Sequence, residues 1–163
     1  MTKKQKTSFQ KIGIAADHAG KDLKSEIIAH LRSKGIEVQD YGLATESTER
    51  VDYPDYGARL AEDVSKGKLD GGIAVCGSGI GMAIVANKFP GIRAACVWDE
   101  FSTRMSRAHN DANILCLGAR ATSVFRAKDF VDLWLETPFA GEQHEVRVRK
   151  IEKLEEKLLN SHR

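Results

Sequence analysis

The sequence predicts an α/β fold: a three-layer α/β/α sandwich around a five-stranded parallel sheet, with an extra helix at the C-terminus. Three observations carry this. Short, near-continuous apolar runs recur along the chain, as strands buried on both faces require. Between them lie stretches with apolar residues at helical spacing, two of them stopped by Gly35 and Gly67. The two kinds of segment alternate, with no internal repeat, low-complexity tract or linker.

Taken in order, residues 11–17 (KIGIAAD) read as the first strand. Residues 20–35 follow as a helix with Leu23, Ile27, Ile28 and Leu31 on one face. Residues 36–42 (IEVQDYG) form a second strand, and the polar, turn-rich stretch after it a loop, until helical signals resume from Tyr53 to Lys66. GGIAVC (71–76) is a third strand, and GMAIVANKF (81–89) a helix behind a glycine loop. GIRAACVW (91–98) is a fourth strand, DEFSTRMSRAH (99–109) a helix, ANILCLG (112–118) a fifth strand, and residues 123–135 a helix. The last segment, residues 143–160, carries Val148, Ile151, Leu154 and Leu158 as a narrow apolar stripe among charges. That stripe would close over the sheet or bury itself against a partner subunit.

The 163 residues suffice for one domain with its own core, here residues 11–163. The start, MTKKQKTSFQK, is basic without a following hydrophobic region, so residues 1–10 read as a flexible extension on a cytoplasmic protein. No apolar run reaches membrane-spanning length. Lys plus Arg number 25 against 23 Asp plus Glu, a net charge of +2, which argues against a nucleic-acid scaffold. Cys76, Cys96 and Cys116 are odd in number and widely spaced, so neither a disulfide framework nor a zinc ribbon is expected.

In parallel sheets ligands bind outside the carboxyl ends of the strands, where strand order reverses. The expected ends carry Asp17 and His18, Cys76 with the loop Gly77-Ser78-Gly79-Ile80-Gly81, Trp98 and Asp99, and Gly118 and Arg120. Strand ends are polar in any case, which covers each of these alone; an Asp-His pair, a thiol and a glycine loop on one rim are less easily covered. The G-x-G-x-G spacing is neither the dinucleotide nor the phosphate-loop pattern, but such a loop suits an anion.

Cys76 fails several tests. A phosphatase nucleophile needs an arginine six positions on, where this chain has Met82. A nucleophile elbow is arranged as G-x-C-x-G, and Ala74 and Ser78, though small enough, are not that pattern. A metal site would find only Asp17 and His18 as further ligands. Two readings stand side by side on spacing alone: a general base whose oxyanion product is held by loop amides, and an inert buried thiol. For Cys96 and Cys116, inside apolar strands, inert packing is expected. His109 and Asn110 follow a helix end, and Arg120, His144 and Arg147 together could clamp phosphate. The plain alternatives are a helix C-cap for His109 and a solvated helix face for the last segment.

The stretches ADHAG, ERVDYPDYG, DGGIAVCGSGIGMAIVANKFPGIRAA, SRAHNDANILCLGAR and QHEVRV closely resemble the type B ribose-5-phosphate isomerase family. That family also includes galactose-6-phosphate isomerase subunits and allose-6-phosphate isomerases. The resemblance spans residues 11 to about 151 and implies a Rossmann-like sandwich. It further implies a metal-independent, cofactor-free aldose–ketose isomerase acting through a cis-enediolate. The unit implied is a homodimer, with tetramers also open, whose sites draw on both subunits.

Carried over residue by residue, Cys76 matches the catalytic base and Ser78 stands where many members have threonine. Gly77, Gly79, Ile80 and Gly81 belong to the loop that holds the enediolate, and His109 matches the group that opens the furanose ring. Asp17, His18, Tyr53 and Asn110 match substrate contacts; Arg120 and Arg147, with His144, match phosphate contacts. On the resemblance, His109, Asn110 and Arg120 are the residues expected to cross between subunits. Members with serine at the cysteine position place a carboxylate elsewhere in this loop, but residues 80 and 81 are Ile and Gly here. One departure is Gln143, where the family usually has arginine; it implies weaker phosphate binding or a different sugar. The alternatives are a six-carbon sugar phosphate (allose or galactose 6-phosphate) and a sugar-phosphate-binding subunit without activity. A dinucleotide oxidoreductase lacks its glycine fingerprint, and Asp40 is a weak stand-in for its acidic residue.

Overall fold

The computed structural model describes residues 8–161 and contains the expected alternation. The strands are β1 (Lys11–Ala16), β2 (Glu37–Asp40), β3 (Gly71–Cys76), β4 (Ala94–Cys96) and β5 (Ile114–Gly118). The helices are α1 (Lys21–Ser33), α2 (Tyr53–Ser65), α3 (Ile80–Ala86), α4 (Glu100–Ala108), α5 (Val124–Glu136) and α6 (Glu142–Ser161). All strand pairings are parallel, in the order β2-β1-β3-β5-β4.

Period-two alternation splits the core into two layers. On one face Ile14, Ile73, Val75 and Leu117 meet α1 and α5, whose Phe130 and Trp134 are fully buried. On the other, Ala74, Cys76 and Cys116 meet α2 and α3 through Leu60 and Met82. Each large apolar side chain so buried contributes about 1.5–3 kcal/mol. The same alternation aims Cys76 at the α2/α3 face.

Three elements differ from expectation. The fourth strand shrinks to three residues, because β4 is an edge strand paired only with β5. Helix α3 stops at Ala86, and Asn87 is spent bonding the backbone of Ala94: its side chain donates to the Ala94 carbonyl and accepts from the Ala94 amide. The expected extension over residues 1–10 is shortened: Phe9 is buried, its ring stacked on Trp134 with centroids 4.3 Å apart. The Gln10 and Lys11 amides both donate to the Asp70 carboxylate. Residues 1–7 lie outside the described residues. Of the α6 stripe only Val148 is buried; Ile151, Leu154 and Leu158 are exposed in the single chain.

Candidate active site

The chain reverses its direction of winding at β1, with β2 on one side and β3 on the other. This switch point leaves a crevice beyond the carboxyl ends of β1 and β3. A cavity of about 920 Å³ lies there, and its lining includes Asp17, Tyr53, Cys76, Gly77, Ser78, Ile80, Gly81 and Arg120. Eight residues singled out from the sequence therefore share one wall.

Each is placed by a local cause. Asp17 ends β1 and is buried, one carboxylate oxygen accepting from the amides of Ala19 and Gly20 at 2.9 and 3.1 Å. Tyr53 opens α2, with Pro54 in the first turn where a missing N–H costs nothing. Cys76 ends β3 and is only 4% exposed, at the floor of the cavity. The Gly79 amide donates to the Cys76 sulfur at 3.2 Å, and the Ile80 amide to the Ser78 hydroxyl at 3.3 Å. The Gly81 and Met82 amides fall in the first turn of α3, where no intrahelical acceptor precedes them.

Gly79 makes the loop possible. Its φ is +80°, and a β-carbon there would stand 2.8 Å from the Leu117 carbonyl carbon. Gly79→Ala is expected to cost at least about 1 kcal/mol from the left-handed backbone alone, plus the clash. Urea denaturation should show the loss, and turnover should fall with it because the loop must lift off β5.

Arg120 follows β5, whose Gly118 is in register with Cys76. The Arg120 amide donates to the Gly77 carbonyl at 3.0 Å, and its side chain covers Gly77. It thus lines the cavity of its own chain.

Cys96, expected to be inert, also lines the cavity, and its thiol lies 3.7 Å from the Ser78 carbonyl. Burial first, and then nearby Cys76, pushes the Cys96 thiol up; Cys116, wholly buried, is pushed up for the same reason. Both remain neutral thiols at pH 7. Val97, Trp98, Gly118, Ala121, Thr122 and Ile84 complete the lining. The strand-end position of Trp98 signals its place, whereas Ile84 carries no sequence mark that separates it from a core residue.

The remaining candidates do not join this wall. His18 is tied by its Nδ1 to the backbone of Val51 at 3.0 Å. His109 and Asn110 follow α4, which runs from the carboxyl edge of the sheet back to its amino edge. They lie beside Asn113, whose carbonyl accepts from Gly72 at the start of β3. Four steps of strand, about 13 Å, separate Gly72 from Cys76. His144 and Arg147, in the first turns of α6, share this end: the His144 ring stacks on His109 with centroids 3.9 Å apart and planes 8° apart. Desolvation first, then the neighbouring His109 and Arg147, lowers the His144 pKa from its ordinary value. Within one chain, the expected clamp of Arg120, His144 and Arg147 is therefore split between opposite edges of the sheet. Gln143 is exposed.

Fold and site together define an α/β protein whose sheet rim holds a thiol under an amide-rich loop, beside an arginine. The chain belongs to the ribose/galactose isomerase family, whose model, described as Ribose/Galactose Isomerase, matches residues 12–151. It is 45% identical to ribose-5-phosphate isomerase B of Escherichia coli K12, over 91% of this chain and 99% of that one. It is 41% identical to D-erythrulose-4-phosphate isomerase of Pectobacterium atrosepticum, over 86% of this chain and 91% of the relative. Among solved structures, ribose-5-phosphate isomerase B of Clostridium thermocellum superposes with a TM-score of 0.87 at 51% identity, covering 91% of this chain and 99% of the other. The Mycoplasma genitalium ribose-5-phosphate isomerase B, solved with bound ribulose 5-phosphate, gives 0.86 at 38% identity, covering 92% and 98%. This chain is thus an isomerase of sugars. Among the described residues no helix is long and apolar enough to cross a membrane.

Proposed function

We propose that this protein interconverts ribose 5-phosphate and ribulose 5-phosphate as a homodimer whose sites are completed across the interface. The observation that carries the chemistry is Cys76, at the floor of the cavity beneath the 77–81 amides. The other titratable groups of the lining are less apt for proton transfer. Asp17 already has one carboxylate oxygen engaged by two amides, and Cys96 is held as a thiol. The relatives named as ribose-5-phosphate isomerases support the choice of sugar.

A histidine opens the furanose by giving a proton to the ring oxygen, and the proton that leaves the C1 hydroxyl as the C1 carbonyl forms returns to the imidazole through solvent. The Cys76 thiolate then takes the C2 proton. The C2–H electrons become the C1–C2 double bond, and the carbonyl pair collects on O1. The amides of residues 77–81 hold that charge where it develops. The thiol returns its proton to C1 while the C2 hydroxyl proton passes to O1, so that C1 carries the hydroxyl and C2 becomes the ketone. Arg120, on the rim, holds the phosphate.

His109 of the same chain is at the far edge of the sheet, so the ring-opening histidine is His109 of the partner subunit. Asn110 and Arg147, exposed in the single chain, accompany it. The cavity is collared by Ile80, Ile84 and Trp98, each more than half exposed, with Phe101 next along α4; a second copy has this apolar collar to cover.

The test is to incubate the protein with ribose 5-phosphate in deuterated buffer and follow the sugar by proton NMR. Ribulose 5-phosphate appearing with solvent deuterium supports the reading. Turnover of allose or galactose 6-phosphate in its place moves the substrate to six carbons, and binding without turnover or exchange leaves a non-catalytic subunit.

A further inference from the structure

The turn that follows His109 is held by a charge cluster that the reaction steps above leave unexplained. Asp111 has φ +45°, a left-handed conformation uncommon outside glycine and tolerated best by Asp and Asn. Its two carboxylate oxygens are divided between two arginines: Arg107 Nη1 donates to one at 2.7 Å and Arg93 Nη2 to the other at 3.1 Å. Both arginines also grip the turn's backbone. Arg107 Nη1 donates to the Ala112 carbonyl at 2.8 Å, and Arg93 Nε to the carbonyls of Asn110 and Asp111 at 3.0 and 3.2 Å.

Neither arginine is a loose surface charge. The Arg107 side chain is 9% exposed, and its guanidinium lies 5.0 Å over the Phe9 ring. Arg93 is 19% exposed and reaches Glu152 on α6 at 3.8 Å. The helix whose first turn stacks His144 on His109 is thereby tied to the same cluster. Such a bridged, charge-assisted arrangement fixes direction better than one hydrogen bond does. It locks a strained turn two residues from a histidine that must reach another subunit's sugar.

We infer that Asp111 is a positioning residue for His109, aiming its imidazole at the furanose oxygen while taking no part in proton transfer at Cys76. The inference rests on the ring-opening role of His109 proposed above. It predicts a defect confined to the ring step.

Ribulose 5-phosphate separates the two steps, because its C5 oxygen is esterified and it cannot close a furanose. In deuterated buffer the wild type should exchange the C1 proton of this ketose and convert it to ribose 5-phosphate furanose. Asp111→Asn keeps the size and tolerates the turn, but its NH2 replaces one of the two oxygens and cannot accept, so one guanidinium loses its partner atom. It should exchange at C1 within about twofold of wild type while furanose formation falls by about tenfold or more, the scale of a slightly misplaced group. Arg93→Gln, which removes one arm of the bridge from the other side, should give the same split. His109→Asn is the reference and should also lose conversion while keeping exchange. If Asp111→Asn and Arg93→Gln lose both rates together, or neither, while His109→Asn shows the split, the positioning role is overturned. If His109→Asn itself shows no split, the ring-opening reading falls, and this inference falls with it.

Discussion

Cys76→Ser is expected to lower kcat for ribose 5-phosphate by about 10²–10⁴-fold, the contribution of a positioned general base. A thiol is a far stronger acid than an alcohol, so the serine cannot stand in as a base near neutral pH. Serine is nearly isosteric, so the buried floor of the cavity should keep its packing and the Tm should change little. Exchange at C1 of ribulose 5-phosphate should vanish together with conversion, the opposite of the pattern expected for Asp111→Asn. The loop also says where a second base could be introduced. Gly81 is closed to side chains, since a β-carbon there would stand 2.6 Å from the Tyr53 ring. Ile80 lines the cavity and is 57% exposed, so Cys76→Ser combined with Ile80→Glu should recover part of the exchange. A Cys76→Ser enzyme that keeps its rate within about tenfold would place the base elsewhere, since no general base contributes so little.

The fold was legible because a sheet covered on both faces needs near-continuous apolar strands, and those runs stand out from the helical spacing between them. Strand order was not, since parallel strands joined by helices look alike in sequence whatever their neighbours. Register and burial explain the errors at the edges. β4 has one partner and needs only three residues, and Phe9, a lone aromatic in a polar stretch, gives no sign that Trp134 awaits it. The site was half legible for a topological reason. Residues at strand ends fall on one rim whatever the order, which is why Asp17, Cys76 and Arg120 meet. Residues at the ends of crossover helices return to the opposite rim, so His109 and Arg147 could be grouped with Arg120 in sequence and still lie at the other edge. The proposed homodimer is what would bring them back to Arg120.

Mixing two inactive variants should therefore restore activity. Cys76→Ser and His109→Asn chains, each nearly inactive alone, should regain about one quarter of wild-type sites after exchange of subunits in equal amounts. Half of the dimers would then be mixed. In each mixed dimer one site holds both lesions, and the other combines the intact Cys76 of one chain with the intact His109 of its partner. A site contained within one chain predicts no recovery at any ratio, because every copy carries one lesion. The geometry of the single chain favours recovery: His109 and Cys76 belong to opposite ends of β3, and no side-chain rotation spans that distance. Recovery should track dimer formation, so dilution below the dissociation constant should remove it. Replacing the exposed Trp98 on the cavity collar with a charged residue should remove it as well. Absence of recovery in a mixture shown by mass spectrometry to contain mixed dimers would instead require α4 and α6 to move against the sheet until His109 meets Cys76 within one chain. Such a move would break the Arg93–Asp111–Arg107 cluster and the Ala140–Ala108 backbone bond that fix that end of the molecule.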